Sequence, residues 1–237
     1  MEVGIMNNLI LECNDFLKNG RFIYAFCGGY ALELYLNKSV RVHSDIDIFI
    51  FEEDIKNFVD FILSKGWNIY ARTGHMQLSQ ISNSNSERLA DCSTLWAIKP
   101  FCSFVKLDMV NGEENTFIYE IITDNQLCFD FIDIFISKRQ DEEFICDYDK
   151  NITRKLDISI MYNNTIPYLS PEIKLFFDSN PRYIELEYFK NKNRTDFESV
   201  APLLPEENRN WLINALEIKY PDGHKRIEQL KSMNFAL

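Results

Sequence analysis

Gly-Gly-Tyr-Ala-Leu at residues 28–32 and Arg-Val-His-Ser-Asp-Ile-Asp-Ile at residues 41–48 are the two stretches that decide the fold. The first follows a β-rich segment and precedes apolar residues at helical spacing, so it predicts a strand that turns into a helix at Gly28-Gly29. The second alternates apolar and polar residues, which predicts a strand with Asp45 and Asp47 on one face and isoleucines on the other. The order of strand, Gly-Gly, helix and Asp-x-Asp strand is more specific than any one of its parts.

Helical and strand patterns also alternate on both sides of these stretches, which indicates an α/β layer in the first part of the chain. Helices are predicted at 5–18, 30–36 and 53–64, and strands at 21–27, 45–51 and 67–72. Residues 73–93 are polar and are predicted to be irregular. Further strands, expected to extend the sheet in antiparallel fashion, are predicted at 95–98, 103–110, 117–122, 127–137 and 143–146.

The character of the sequence changes near residue 165. From Ser170 onward, helical patterns lie at 172–178, 183–190, 195–204, 206–219 and 223–232, broken by prolines at 181, 205 and 221. Lys174 lies on the first of these helices, where it could face a site cleft or, as we expect, the solvent. We therefore predict an α+β fold with a mixed sheet in residues 1–165, followed by a small C-terminal helical domain in residues 166–237.

Composition limits the partners that the protein can have. The 237 residues carry a formal net charge of −11, and an acidic surface repels nucleic acid and anionic membranes. The six cysteines include no Cys-x-x-Cys pair, and most have apolar neighbours, which is typical of reduced, buried thiols. We expect a cytoplasmic protein that binds neither nucleic acid nor membrane and is a monomer or a homodimer.

The residue types in the two deciding stretches suit phosphate and metal chemistry. Two carboxylates held side by side repel each other unless a cation neutralises them, and Mg²⁺ accepts one or two carboxylates together with phosphate oxygens. Paired glycines at a helix start allow close approach of a phosphate group. Taken singly, Asp45 and Asp47 could equally lie on a solvated strand face, and Gly28-Gly29 could be only a tight turn.

Together the two stretches resemble the polymerase-β-like nucleotidyltransferase superfamily, and within it the aminoglycoside 2″-adenylyltransferase type. The resemblance implies a mixed-sheet nucleotidyltransferase domain whose helix start at Gly28 and Gly29 binds a triphosphate. It also implies that Asp45 and Asp47 hold Mg²⁺. Later stretches that resemble the family lie at residues 152–154, 166–172, 196–197, 202–204 and 211–212.

The resemblance also implies a third carboxylate on a later strand. Phe-Ile-Asp-Ile-Phe-Ile at residues 131–136 resembles that strand and offers Asp133. A rival, Asp108, lies in a stretch of residues 99–126 that looks like an insertion. We prefer Asp133 because its spacing to Pro167 fits the family.

The function implied is transfer of a nucleoside monophosphate from ATP or another nucleoside triphosphate to a hydroxyl of a small, aminoglycoside-like acceptor. Asp45, Asp47 and Asp133 are the expected metal-binding and catalytic residues, and Arg41 and His43 are expected beside Gly28 and Gly29 in binding the co-substrate. One alternative is a protein-modifying nucleotidyltransferase of a toxin–antitoxin system. Another is a nucleotide-binding module without activity, which the intact aspartates disfavour.

Overall fold

The computed structural model describes residues 8–43, 45–72, 77–90, 92–100, 105–109, 116–121, 129–146, 150–181, 184 and 187–233. These residues fall into two compact units. Unit 1 takes its residues from Cys27–Val42 and Arg139–Leu237, and unit 2 takes its residues from Ile5–Phe26 and His43–Lys138.

Helices and strands are numbered here in chain order. The described α-helices are α1 (Asn8–Leu17), α2 (Gly28–Leu36), α3 (Ile55–Ser64), α4 (Leu156–Ser159), α5 (Pro171–Asp178), α6 (Glu187–Val200), α7 (Glu206–Lys219) and α8 (Lys225–Ser232). The described strands are β1 (Tyr24–Phe26), β2 (Asp47–Phe51), β3 (Asn68–Arg72), β4 (Gln77–Ile81), β5 (Thr94–Ile98), β6 (Val105–Met109), β7 (Thr116–Ile121), β8 (Phe131–Gln140), β9 (Glu143–Ile145), β10 (Thr153–Lys155), β11 (Ile160–Asn163) and β12 (Ile166–Leu169). Short 3₁₀ turns lie at Glu52–Asp54, Glu87–Leu89 and Ala201–Leu203.

Unit 2 is built on a mixed sheet with the strand order β1-β2-β8-β5-β3-β4-β7-β6. Among the described strand pairs of this unit, β2 and β8 run parallel and the remaining pairs run antiparallel. Ile48 and Ile50 of β2 and Ile132 and Ile134 of β8 are fully buried, as the alternation of apolar residues predicts. Helix α3 packs against β3 and buries Phe58, Val59 and Ile62, which follow one another at helical spacing.

Unit 1 is a layer of helices with two short hairpins. Helix α2 packs against α5 and α6, and α7 packs against α5 and α8. The hairpins pair β9 with β10 and β11 with β12. Helix α5 begins after Ser170 with Pro171 in its first turn, as the Ser-Pro sequence predicts.

The α+β class and the mixed sheet are confirmed, and helices and strands alternate at the start of the chain as expected, with β1 antiparallel to β2. Two local expectations are wrong. The stretch expected to be irregular contains β4, which pairs with β3 on one side and β7 on the other. Separate helices expected at 183–190 and 195–204 are replaced in the described residues by α6, which runs to Val200.

The two compact units follow a different division of the chain from the expected domains 1–165 and 166–237. Unit 1 joins the C-terminal helices to α2, because α2 packs against α5 and α6. None of the helices that the structure describes is both long enough and apolar enough to cross a membrane.

Candidate functional site

Two of the predicted carboxylates are direct neighbours in the sheet of unit 2. Asp47 opens β2, and its register partner on the parallel strand β8 is Asp133. The backbone N–H of Asp133 donates to the carbonyl oxygen of Ile46 at 2.9 Å, so the pairing continues one residue beyond the start of β2. Asp45 lies two residues before Asp47, and both side chains are partly exposed. Strand pairing therefore brings together residues that lie far apart in the sequence.

The surroundings of Asp133 disfavour the ionised form of its carboxyl group. Burial raises the pKa of Asp133 well above its ordinary value, and the negative charges of Asp47 and Asp45 raise it further. The positive charge of Arg72 and the indole of Trp96 act in the opposite direction. Within the described residues, the Oδ1 atom of Asp133 is buried without a hydrogen-bond partner. This group of carboxylates is thus suited to take up a proton or a cation.

A row of side chains extends from this pair across the sheet. Asp133 is the register partner of Trp96, Trp96 of Tyr70, and Tyr70 of Gln80. Register partners point to the same face of a sheet, so this row shares the face of Asp47. Trp96 and Tyr70 are buried, and the Trp96 ring meets Phe131 edge to face with ring centroids 4.9 Å apart. The aspartates therefore lie at one end of a row whose centre is formed by the buried rings of Trp96 and Tyr70.

The rival carboxylate lies in another part of the sheet. Asp108 is on β6, which pairs with β7 at the far end of the strand order, and β5, β3, β4 and β7 lie between β6 and β8. With neighbouring strands about 4.8 Å apart, a distance of roughly five strand spacings separates Asp108 from Asp133. Strand order thus places Asp133 beside Asp47 and Asp108 far from it.

Gly28 and Gly29 lie in unit 1, where they begin helix α2. Gly28 has a φ of 61°, a left-handed conformation that favours glycine, and Gly29 is buried. Cys27 occupies the N-cap position, and its side chain makes no capping hydrogen bond to the described residues. The predicted turn from strand to helix is present, with an N-terminus of the kind that attracts anions.

Arg41, expected to bind the co-substrate, is engaged in an ion pair inside unit 1. Its Nε donates to Oδ1 of Asp196 at 2.9 Å and its Nη2 to Oδ2 of the same residue at 3.2 Å. The side chain of Asp196 is 1% exposed. His43 belongs to unit 2 and is 5% exposed to solvent. The pattern Arg-x-His-x-Asp therefore places side chains in both units.

The expectation of a solvated Lys174 is wrong. Lys174 is buried, pairs with Asp178 one turn later on α5, and has its Nζ 3.8 Å from Oδ2 of Asp196. Burial lowers the pKa of Lys174, but the negative charges of Asp178 and Asp196 outweigh it, and the pKa of Lys174 is raised. Arg72, Trp96 and this ion network are the polar features that sequence reasoning missed.

The donor set agrees only in part with a metal site. Carboxylate oxygens are the ligands that Mg²⁺ prefers, and Asp47 and Asp133 supply them from adjacent strands. Over the described part of the chain, however, no group of three or more His, Cys, Asp or Glu side chains is arranged to hold a metal ion. The described residues thus offer two adjacent carboxylates to a cation but do not form a three-ligand site.

Comparison with known proteins gives matches among solved structures alone. No model of a known protein family matches the chain, and no curated protein matches it. A solution structure of the antibiotic-resistance factor ANT(2″)-Ia is 14% identical, with a TM-score of 0.44, and 91% of each chain is covered. A crystal structure of ANT(2″)-Ia with adenylyl-2″-tobramycin is 13% identical, with a TM-score of 0.43, and 90% of this chain and 95% of that chain are covered.

A third similar structure is that of the lincosamide antibiotic adenylyltransferase LnuA with bound lincomycin. It is 13% identical, with a TM-score of 0.48, and the likeness covers 83% of this chain and 99% of that chain. Two of these three structures are described with an adenylylated or bound antibiotic.

Proposed function

We propose that the protein is an enzyme, a nucleotidyltransferase that moves a nucleoside monophosphate from a nucleoside triphosphate to a hydroxyl of a small molecule. ATP is the first co-substrate to test, and the products are then the adenylylated acceptor and pyrophosphate. The observation that carries the proposal is the register pairing of Asp47 with Asp133, beside Asp45, on strands that are far apart in the sequence. A cluster of like charges destabilises a fold unless a bound cation or a proton neutralises it, and such clusters are common at functional sites.

The three aspartates have distinct tasks in this proposal. Asp45 and Asp47 are partly exposed and would supply oxygen ligands, and Asp133 would complete the set. A Mg²⁺ ion held there would offset the carboxylate repulsion and withdraw charge from the phosphate oxygens. Asp133, which lies beside Asp47 on the neighbouring strand, is placed to accept the proton of the acceptor hydroxyl. The hydroxyl oxygen bonds to the α-phosphorus, and the bond from that phosphorus to the β-phosphate oxygen breaks.

The start of α2 supplies a second element, a place for anionic phosphate groups. Gly28 adopts its left-handed backbone at that point, and the first turn of a nine-residue helix offers N–H groups and a partial positive charge. We assign the triphosphate to Gly28 and Gly29. His43 is assigned to support of the segment before Asp45 because it is buried.

The acceptor is proposed to be an antibiotic-like molecule with a free hydroxyl. A cationic aminoglycoside agrees with the net charge of −11 and with the partly exposed Asp45 and Asp47. Because the exposed cation Arg72 acts on the neighbouring carboxylate of Asp133, a less charged lincosamide is tested as well. A protein hydroxyl, as in a toxin–antitoxin system, is the alternative acceptor.

The test is nucleotidyl transfer measured by mass spectrometry with ATP, Mg²⁺ and a panel of aminoglycosides and lincosamides. We expect an acceptor that gains one adenylyl group with wild-type protein and at least about 100-fold slower transfer with Asp45→Asn or Asp47→Asn. Asp60→Asn is the matched control, since Asp60 is exposed on α3 in the same unit. Undiminished Mg²⁺-dependent ATP binding in the Asp45→Asn, Asp47→Asn double variant would contradict the proposal. Labelling of a protein instead of any small molecule would favour the alternative acceptor.

A further inference from the structure

A network of four charges, of which Lys174 and Asp196 are buried and Arg41 and Asp178 partly exposed, holds the segment that follows helix α2 in unit 1. Arg41 and Lys174 are its cations, and Asp196 and Asp178 are its anions. The Arg41 guanidinium donates through Nε and Nη2, as a two-pronged fork, to both carboxylate oxygens of the almost fully buried Asp196. Paired geometry of this kind is the most specific that arginine forms with a carboxylate. The positive and negative charges of the network balance, so its members stabilise one another.

A second buried carboxylate fixes the backbone of the same segment. Oε1 of Glu33, a residue of α2 that is 8% exposed, accepts a hydrogen bond from the backbone N–H of Val40 at 2.7 Å. The same oxygen accepts from the hydroxyl of Ser39 at 2.9 Å and from the N–H of Arg41 at 3.4 Å. Residues 39–41 are thus held at their backbone by Glu33 and at a side chain by Asp196.

We propose that this clamp, formed by Glu33, Arg41, Asp196 and Lys174, positions the segment that leads to Asp45. Arg41 then acts through Asp196 as a positioning residue instead of binding the triphosphate. The inference rests on the proposed function and assigns a role within the same site. If the Arg41 side chain rotated to bind phosphate, it would leave the carboxylate of the buried Asp196. The remaining described cation beside Asp196 would then be Lys174, whose Nζ is 3.8 Å from Oδ2, so the rotation would be costly.

Chain connectivity carries the effect to the site. Arg41 precedes Asp45 by four residues, and the segment from residue 37 to 41 has Asn37 in a left-handed conformation at its start. A clamp at residues 39–41 therefore restricts the backbone conformations that are open to the first carboxylate of the site. Displacement of a reacting group by about 1 Å is enough to cost roughly 100-fold in rate.

A double-variant cycle separates the clamp from a phosphate-binding role. We expect Asp196→Asn and Arg41→Ala each to lower kcat by roughly 10- to 100-fold with the KM for ATP changed less than about threefold, and the double variant to be no slower than either. Arg41→Lys keeps the charge but loses the fork, so it should fail to restore kcat. A KM for ATP that rises strongly in Arg41→Ala and not in Asp196→Asn would show that Arg41 binds the triphosphate and would overturn the proposal.

Amide hydrogen exchange tests the clamp without reference to activity. In Asp196→Asn and in Arg41→Lys, the N–H groups of Val40 and Arg41 should exchange at least about tenfold faster than in the wild type. Glu172→Gln is the matched control, because it breaks a buried ion pair of the same unit, Arg154 with Glu172 at 2.7 Å, that does not include this segment. Unchanged exchange in both clamp variants, or equal acceleration in the control, refutes the clamp. Absence of nucleotidyl transfer in wild-type protein refutes the proposed function instead and leaves the exchange result to decide the clamp.

Discussion

Replacing Asp133 by asparagine should stabilise the metal-free protein at neutral pH while abolishing its proposed activity. The Asn side chain has nearly the same shape but removes a charge that Asp47 and Asp45 repel and that burial penalises. Because Asp133 and Asp47 are register partners on neighbouring strands, their carboxylates are roughly 5–6 Å apart. At an effective dielectric constant of about 20 this distance corresponds to a repulsion of about 3 kcal/mol.

The expected gain is smaller than this repulsion, because Asp47 is partly exposed and salt screens it. A net stabilisation of about 1–2 kcal/mol corresponds to a Tm increase of roughly 2–8 °C for a chain of this size. Thermal unfolding followed by circular dichroism in the presence of a chelator measures it. Asp60→Asn, an exposed position on α3, should leave Tm within about 1 °C of the wild type.

The pH dependence of the gain has a definite sign. The pKa of Asp133 is raised in the folded state, so the folded protein holds this proton more tightly than the unfolded chain does. The charged form therefore destabilises the fold above the folded-state pKa, and the penalty disappears as pH falls through that pKa toward the ordinary value of about 4. The advantage of Asp133→Asn should accordingly grow as pH rises above about 4, reach its full size above the folded-state pKa, and vanish in acid.

Two outcomes would refute this reasoning. A Tm of Asp133→Asn at or below that of the wild type near neutral pH would show that its charge is not a burden in the folded state. Fully additive gains from Asp47→Asn and Asp133→Asn would show that the two charges do not repel each other, since either substitution alone should relieve the same repulsion.

Two further predictions concern His224 and Gly28, both in unit 1. Burial, together with the charges of Arg226 and Lys219, lowers the pKa of His224, whose Nδ1 caps helix α8 by accepting from the N–H of Arg226. Stability should therefore fall as pH drops below about 6.5, the ordinary histidine pKa. His224→Asn keeps a cap acceptor but does not titrate, so its Tm should stay nearly constant between about pH 7.5 and 5.5. Gly28→Ala and Gly66→Ala, both at positive φ, should each lower stability by about 1–2 kcal/mol in thermal unfolding, whereas the KM for ATP should rise in Gly28→Ala alone; an equal KM in the two variants would contradict the phosphate assignment.

The alternation of residues in the sequence was enough to predict most strands and helices of unit 2. Strand β4 was missed because Gln77, Ser79 and Gln80 make it polar, and its neighbours β3 and β7 rather than its own composition keep it extended. In unit 1, β12 contains Pro167, a residue that argues against a strand, but it lies in a short hairpin with β11. Pairing with neighbouring strands thus determines the extended conformation of segments whose own sequence has a weak preference for a strand.

For the candidate site, the sequence predicted residue types better than it predicted partners. Asp47 opens β2 as the alternation predicts, whereas Asp45, expected on the same strand, precedes the strand by two residues. The nearness of Asp133 to Asp47, and the distance of Asp108 from both, follow from strand order, which local spacing does not contain. Lys174 was expected in solvent because lysine is usually exposed, and only the partners on α5 and α6 explain its burial.

The parallel pairing of β2 with β8 also bears on how the molecule folds. Residues 47 and 133 can meet only after the chain between them has been arranged, and long-range parallel pairing is slow because loop closure costs entropy before any contact is gained. We expect the hairpin of β3 and β4, which joins residues close in sequence, to form earlier than the aspartate pair. The chemistry of the site would then be assembled late, and a ligand that bridges the two strands would act on the last step of folding and slow its reversal.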